Sequence, residues 1–326
     1  NDLRSNSFAA RRLVIDSLKY LVRTFDVDGF RLDLAELLGI EFLREIEHEL
    51  LSIKPRLHLI AEPWSFRGRL PDAMRETTYS LWGDDMREGL LDYARGKGDA
   101  TSVLRWLQGS PGSVSARPSQ TVNYLESHDD YAFIDRLTER SRRNGSNPTE
   151  LDIRRHRLAL AVLLASPGVP MLSAGQDFLR SKKGVRNTYL RGDLNALDYS
   201  LLDKHPEHHA YIRDWIALRL SDTGKLLRPA KHTGGSYYQC FPSEDGQAAA
   251  LLINADQSAG SRRLLFAINP SANKEVLLPV TPEQFGDSVL VANSEKVSRQ
   301  GLQDNFARKT GCLWLPSTST AMWTVS

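Results

Sequence analysis

Two short strand-like runs enclose one helix-like run near the start of this sequence, and no other feature restricts the fold as much. Val27 to Asp33 and Leu57 to Glu62 are brief apolar stretches, and Leu37 to Leu51 between them carries its apolar residues at helical steps. Strands that recur at intervals of about thirty residues across a helix read as a parallel sheet with crossover helices, the α/β class. Ahead of them, Ala9 to Phe25 places Leu13, Val14, Leu18, Leu21, Val22 and Phe25 three and four residues apart, which predicts one helix with that face buried. The rhythm continues less regularly. A strand is expected at Thr121 to Leu125, a buried helix at His156 to Ala165 stopped by Pro167 and Gly168, a strand at Val169 to Ser173, and a helix from His208 to Leu220.

Past Gly234 and Gly235 the texture changes. Tyr237 to Phe241, Ala249 to Asn254, Leu264 to Asn269, Glu275 to Pro279 and Ala321 to Val325 are short apolar runs set between Gly, Pro, Ser and Asn clusters, which is how an antiparallel β-domain reads. The change divides the chain between Thr233 and Ser236, giving segments 1–233 and 234–326. No repeat of fixed period is visible, and Ser141 to Thr149 is a short polar loop.

Charge narrows the choice of partner. With 42 Lys and Arg against 40 Asp and Glu, the net charge of +2 makes no field that would recruit nucleic acid or an anionic membrane, so a neutral substrate is expected. Apolar runs such as Leu158 to Ser166 fall short of the roughly 20 residues that a membrane span requires. Cys240 and Cys312 lack metal-ligand spacing and read as buried thiols, with a single disulfide as the alternative. The chain opens on Asn1, and Asn-Asp-Leu-Arg has neither the basic start nor the apolar stretch of a secretory signal. It reads as a piece of a longer product, which leaves the compartment open.

In a parallel α/β barrel, reactive groups gather where the strands end, because the loops there share one mouth. Three acids hold such positions: Asp33 and Glu62 end the first two strands, and Asp129 follows the strand at Thr121. Glycoside hydrolysis commonly uses two carboxylates, one to attack or stabilise the sugar cation and one to protonate the departing oxygen; a retaining mechanism sets them roughly 5 Å apart. The plain alternatives are an ion pair between Asp33 and Arg31, a turn cap at Glu62, and a polar loop at His128-Asp129-Asp130.

Three local sequences sharpen the choice. Asp28-Gly29-Phe30-Arg31-Leu32-Asp33-Leu34-Ala35, Ala61-Glu62-Pro63-Trp64 and Asn123-Tyr124-Leu125-Glu126-Ser127-His128-Asp129-Asp130 resemble three motifs of the α-amylase superfamily, glycoside hydrolase family 13, in its order. The resemblance implies that Asp33 is the nucleophile, Glu62 the general acid/base, and that His128 and Asp129 bind the sugar at the cleavage point with Arg31 beside the nucleophile. Arg31 lies two residues before Asp33 on a strand, so both project to one face and the guanidinium can hold the carboxylate charged. Glu62 has to carry a proton near neutral pH, which the negative Asp33 and the apolar wall of Trp64 favour.

The continuation Glu62-Pro63-Trp64 looks like the debranching members, the pullulanases and isoamylases. The run from Gly184 to Tyr199, with Asn187 and Tyr189, resembles the loop that lines the substrate cleft after their last barrel strand. The implied architecture is the C-terminal part of a (β/α)8 barrel, strands four to eight, over 1–233, followed by an antiparallel β-sandwich over 234–326. The family's first motif and the first three strands are absent from this sequence. An incomplete barrel would expose sheet edges and apolar surface, so the remaining strands are expected from the rest of a full-length chain.

The implied substrate is an α-glucan, polysaccharide or oligosaccharide, cleaved at α-1,6 branch points with retention. Rival readings are an α-1,4-acting amylase or transglycosylase and a non-catalytic glucan-binding module. No cofactor is expected, and no part of the sequence points to a structural calcium. Trp64, Trp82 and Tyr189 are candidates to stack on sugar rings, with core packing as the other reading for Trp64 and Trp82. His205, His208 and His209 open a helix expected at the surface, without the further ligand a metal would need. Arg140, Arg142 and Arg143 form a basic run in a solvated loop.

Overall fold

The computed structural model describes residues 3–110, 115–138, 144–309 and 312–326, so the run Arg140, Arg142 and Arg143 lies outside the described residues. The chain is mixed α/β and forms two compact units: Asn1–Gly83 with Ser110–Val122, and Asp84–Gly109 with Asn123–Ser326. Among the described residues no helix is long and apolar enough to cross a membrane.

In the first unit the strands Gly29–Leu32, His58–Ala61 and Ser80–Gly83 lie side by side and parallel. Arg31 is opposite Ile60 and Leu32 opposite Ala61, so the two strands end level with one another. Gly29 permits this approach: a Cβ there would come within 2.2 Å of the His58 carbonyl oxygen. The helix Ile40–Leu51 follows the first strand and buries Phe42, Leu43, Ile46 and Leu50 with Leu59, Ala61, Met74 and Tyr79.

The helix Phe8–Phe25 corrects the expected burial. Only Ile15 and Val22 are buried, with Val14 and Leu18 packed beside them, while Leu13 is 67% and Phe25 64% exposed and Leu21 is also exposed. The helix carries more apolar surface than one packed arc can cover, so the spacing identified the helix but not the side that packs. It ends at Asp26, whose left-handed φ of 51° turns its N–H back to the Val22 carbonyl.

The second unit is built around the helix Glu150–Ala165, in which every residue from Leu158 to Ala165 is buried. A Thr149–Asp152 capping box starts it. At its far end Arg219 donates to the carbonyls of Leu164 at 2.6 Å, Ser166 at 2.9 Å and Gly168 at 2.9 Å, which supplies donors to carbonyls at and just beyond the helix end. Thr121–Asn123 and Val169–Pro170 are shorter strands than expected. Asn123 nevertheless ties its surroundings: its Nδ2 donates to Pro167 O and its carbonyl accepts from Met171 N, each at 2.8 Å.

The later part is antiparallel. One sheet takes the strands Ser288–Ala292, Ser319–Val325, Arg263–Asn269, Ala249–Ile253 and Tyr238–Pro242 in that order, and a second takes Val276–Leu278, Cys312–Leu315 and Arg308–Lys309. Alternate residues of the five-stranded sheet serve two cores: Leu252, Leu265 and Trp323 meet Leu278, Leu313 and Leu315, whereas Leu251, Phe266 and Met322 join the helix core with Trp215. That double cover explains why these strands read as continuous apolar runs.

Two further expectations change. Cys240 is exposed and Cys312 half-buried, both as free thiols, because their strand neighbours Phe241 and Leu313 take the core face. The helix Pro206–Leu220 is not a surface helix along its length, since His208, Tyr211, Trp215 and Leu218 are buried. The His208 ring lies 4.9 Å from that of buried His156. Burial keeps both imidazoles neutral, holding His156 down at about 3 and His208 well below the usual range. Among the described residues no group of three His, Cys, Asp or Glu side chains could hold a metal ion.

Candidate active site

Asp33 and Glu62 each follow the last residue of a parallel strand in the first unit. Arg31 joins them: its Nη1 bonds to Asp33 Oδ1, and its Nη2 stands 3.2 Å from Glu62 Oε2. The two carboxylates therefore flank one guanidinium, although the Asp33 side chain is 69% exposed and that of Glu62 only 4%. The turn after Asp33 adds a second hold on Glu62. Leu34 adopts φ 40°, a region costly for a side-chain-bearing residue, and its N–H donates to Glu62 Oε2 at 2.8 Å. Glu62 N donates to Leu32 O at 3.0 Å, and Ala35 N to Glu62 O at 3.1 Å.

Aromatic rings complete this arrangement. Trp82 is buried, and the Arg31 guanidinium carbon sits 4.9 Å from its ring centroid, which restrains the cation that the carboxylates share. Core packing is thus the reading that applies to Trp82. Trp64 is half-buried in the hairpin formed with Gly68–Arg69 and meets Trp82 edge-on at 6.2 Å.

His128 and Asp129 lie in the second unit, on the turn after Leu125. Both side chains are open to solvent, with His128 Nε2 3.3 Å from Asp129 Oδ2. The adjacent Asp130 is buried instead, held by Arg87 Nη1 at 2.6 Å and Ser127 Oγ at 2.8 Å. Lys182 Nζ donates to the carbonyls of His128 at 3.0 Å and Asp130 at 2.6 Å. Glu126 is buried beneath this turn and accepts from Phe133 N; desolvation raises its carboxyl to about 7. Farther along the same unit Asn187, at φ 47°, and Tyr189 are exposed. The loop that carries them is pinned by buried Thr188, which exchanges two 2.6 Å bonds with Asn195.

A chain from Bacillus subtilis (strain 168) described as a pullulanase is 32% identical over 284 residues, covering 79% of this chain and 39% of that one. The structure of a pullulanase from Bacillus acidopullulyticus superposes with a TM-score of 0.83 at 25% identity, over 97% of this chain and 40% of that one. The chain is a homologue of the pullulanases. It spans about two fifths of the length of the relatives just given. A third pullulanase, from Paenibacillus barengoltzii and solved with maltohexaose and α-cyclodextrin, has the same fold, with a TM-score of 0.80 at 23% identity over 99% of this chain and 51% of that one. No family model matches.

The contacts that the motifs did not foretell are the second partner of Arg31, the strained Leu34 turn, Lys182 on the carbonyls flanking Asp129, and Arg87 on Asp130. A pairing of Arg31 with Asp33 follows from strand alternation, but its reach to Glu62 depends on the register between strands. Lys182 is 52 residues from the carbonyl of Asp130 that it binds, and no periodicity links the two.

Proposed function

We propose that this chain supplies catalytic residues of a debranching glycoside hydrolase acting on α-1,6 linkages of pullulan, glycogen or starch by retaining double displacement. The observation that carries the reading is the pair of carboxylates at neighbouring strand ends, one exposed and one buried, on either side of Arg31. Asp33 attacks the anomeric carbon while Glu62 protonates the departing glycosidic oxygen; Glu62 then removes a proton from water, whose attack releases the sugar from Asp33. Leu34 N donates to Glu62 Oε2 and the Arg31 ion pair falls on the same oxygen, so Oε1 is assigned the proton it delivers. Asp129 and His128 are assigned to sugar hydroxyls, and Trp64, Asn187 and Tyr189 each to substrate binding, as the motif resemblance implies. A neutral α-glucan suits the near-balanced charge of the chain and is what one pullulanase of similar fold was solved with.

In this reading 1–233 forms strands four to eight of a (β/α)8 barrel and 234–326 a β-sandwich, with the earlier strands supplied by the rest of the full-length polypeptide. The test is product analysis on pullulan with the protein as its gene encodes it, together with the anomeric configuration of the fresh product by NMR. Maltotriose released as the α-anomer is expected. Panose would replace α-1,6 by α-1,4 cleavage, and an initial β-anomer would overturn the double displacement.

A further inference from the structure

The turn that presents Asp129 is secured from below by a residue with no role in the chemistry described so far. Lys182 is only 2% exposed, and its ammonium donates to the carbonyls immediately before and after Asp129, His128 O at 3.0 Å and Asp130 O at 2.6 Å. Its main chain is fixed as well: Lys182 N donates at 2.8 Å to Asp135 Oδ2, while Asp135 Oδ1 accepts from Ser181 Oγ at 2.5 Å and from Gly145 N at 2.7 Å. Asp135 is fully buried. The Lys182 carbonyl then accepts from Val185 N at 3.0 Å, which begins the turn into the loop carrying Asn187 and Tyr189.

Joining carbonyls does not itself require a charge. Elsewhere in this unit Asn254 joins the carbonyls of Gly260 and Arg262, and Asn269 those of Lys274, Leu315 and Pro316, with neutral amides. Burying an ammonium costs far more than burying an amide, and a long lysine is rarely immobile. Here both ends are tied, so the side chain acts as a strut between a buried carboxylate and the two carbonyls that bracket an exposed carboxylate.

We propose that Lys182 is a positioning residue, which sets the aim of the Asp129 carboxylate and couples it to the substrate loop that begins at Val185. The proposal rests on the assignment of Asp129 to sugar binding at the cleavage point. An aim error of about 1 Å at a reacting centre costs on the order of a hundredfold. Substitution of Lys182 should therefore act on kcat and act through Asp129.

The experiment is a double-variant cycle in the protein as its gene encodes it, with Lys182→Met, Asp129→Asn and both together. Single-turnover rates on pullulan, KM and the thermal midpoint are read for each. Lys182→Met is expected to lower kcat about a hundredfold with KM within about threefold, and to cost no more than about threefold further when Asp129 is already Asn. Losses that multiply, or a Lys182→Met variant that is merely less stable with its kcat intact, overturn the proposal. If Asp129→Asn itself keeps full activity, the sugar-binding assignment falls and this proposal falls with it; if it is inactive while Lys182→Met is active, only the proposal fails. Should the methionine variant not fold, Lys182→Arg keeps donors for both carbonyls and replaces it in the cycle: kcat within about fivefold supports the strut, and a multiplicative loss overturns it.

Discussion

Two acidic centres, one in each compact unit, are held in opposite ways. Asp33 and Glu62 are oriented through their own carboxylates, which share Arg31, with Leu34 N added at Glu62. Asp129 keeps its carboxylate open to solvent, and the fixation falls on the peptide carbonyls to either side and on its neighbour Asp130. A side-chain hold sets direction and charge together, so removing the holder disturbs both. A main-chain hold sets direction and leaves the solvent-facing carboxylate, whose Oδ2 meets only His128 Nε2 at 3.3 Å among the ion pairs described, room to accept hydroxyls, which suits the binding role proposed for Asp129.

If that contrast is sound, the largest loss should come from the reacting member of the side-chain-held pair. Asp33→Asn keeps shape and removes the carboxylate proposed as nucleophile, and turnover on pullulan is expected to fall by at least about ten-thousandfold while glucan affinity by calorimetry persists. Retained turnover would end the assignment. Glu62→Gln should cost about a hundredfold to ten-thousandfold, and less on a substrate whose leaving group departs without protonation. An equal loss on both substrates would place the fault in positioning. Arg31→Met addresses the hold itself: kcat is expected to drop by about a hundredfold, because one substitution releases both carboxylates from a common cation. A drop below about threefold would mean that the level strand ends alone align the pair.

The sequence made parts of this legible for physical reasons that also explain the gaps. Asp33 stands one residue past the strand that carries Arg31, close enough for alternation to put the two side chains on one face. The Glu62 contact needs the register Arg31 opposite Ile60, a relation between strands that neither strand carries alone. Helices show the same limit. Glu150–Ala165 is apolar on all sides toward its end and is buried there, as its composition requires, whereas Phe8–Phe25 has an apolar stripe of which only the arc through Ile15 and Val22 finds partners. The triple histidine at His205 looked polar and superficial, yet His208 turns inward onto His156 because its side of the helix also carries Tyr211, Trp215 and Leu218.

That inward pair gives the smallest predicted effect, and it separates the units by pH. The first unit has its buried acid paired with arginine, while the second keeps His156 neutral, down at about 3 against an ordinary value near 6.5. Below pH 6.5 the unfolded chain takes up a proton at this position that the folded chain refuses. The contribution of His156 to stability is therefore complete above pH 6.5 and is lost as pH falls toward 3, by about 1.4 kcal/mol per unit. Buried Glu126, raised to about 7, acts in the opposite sense as pH rises from its ordinary range, but it is common to wild type and a His156 variant and cancels in their difference. Amide-exchange protection across Leu158 to Ala165 should thus decline more steeply with acid in wild type than in His156→Gln, by about fivefold between pH 6.5 and 5.5. Parallel slopes in the two proteins would show that the imidazole charges without opening this helix, and that acid does not distinguish the second unit from the first through His156.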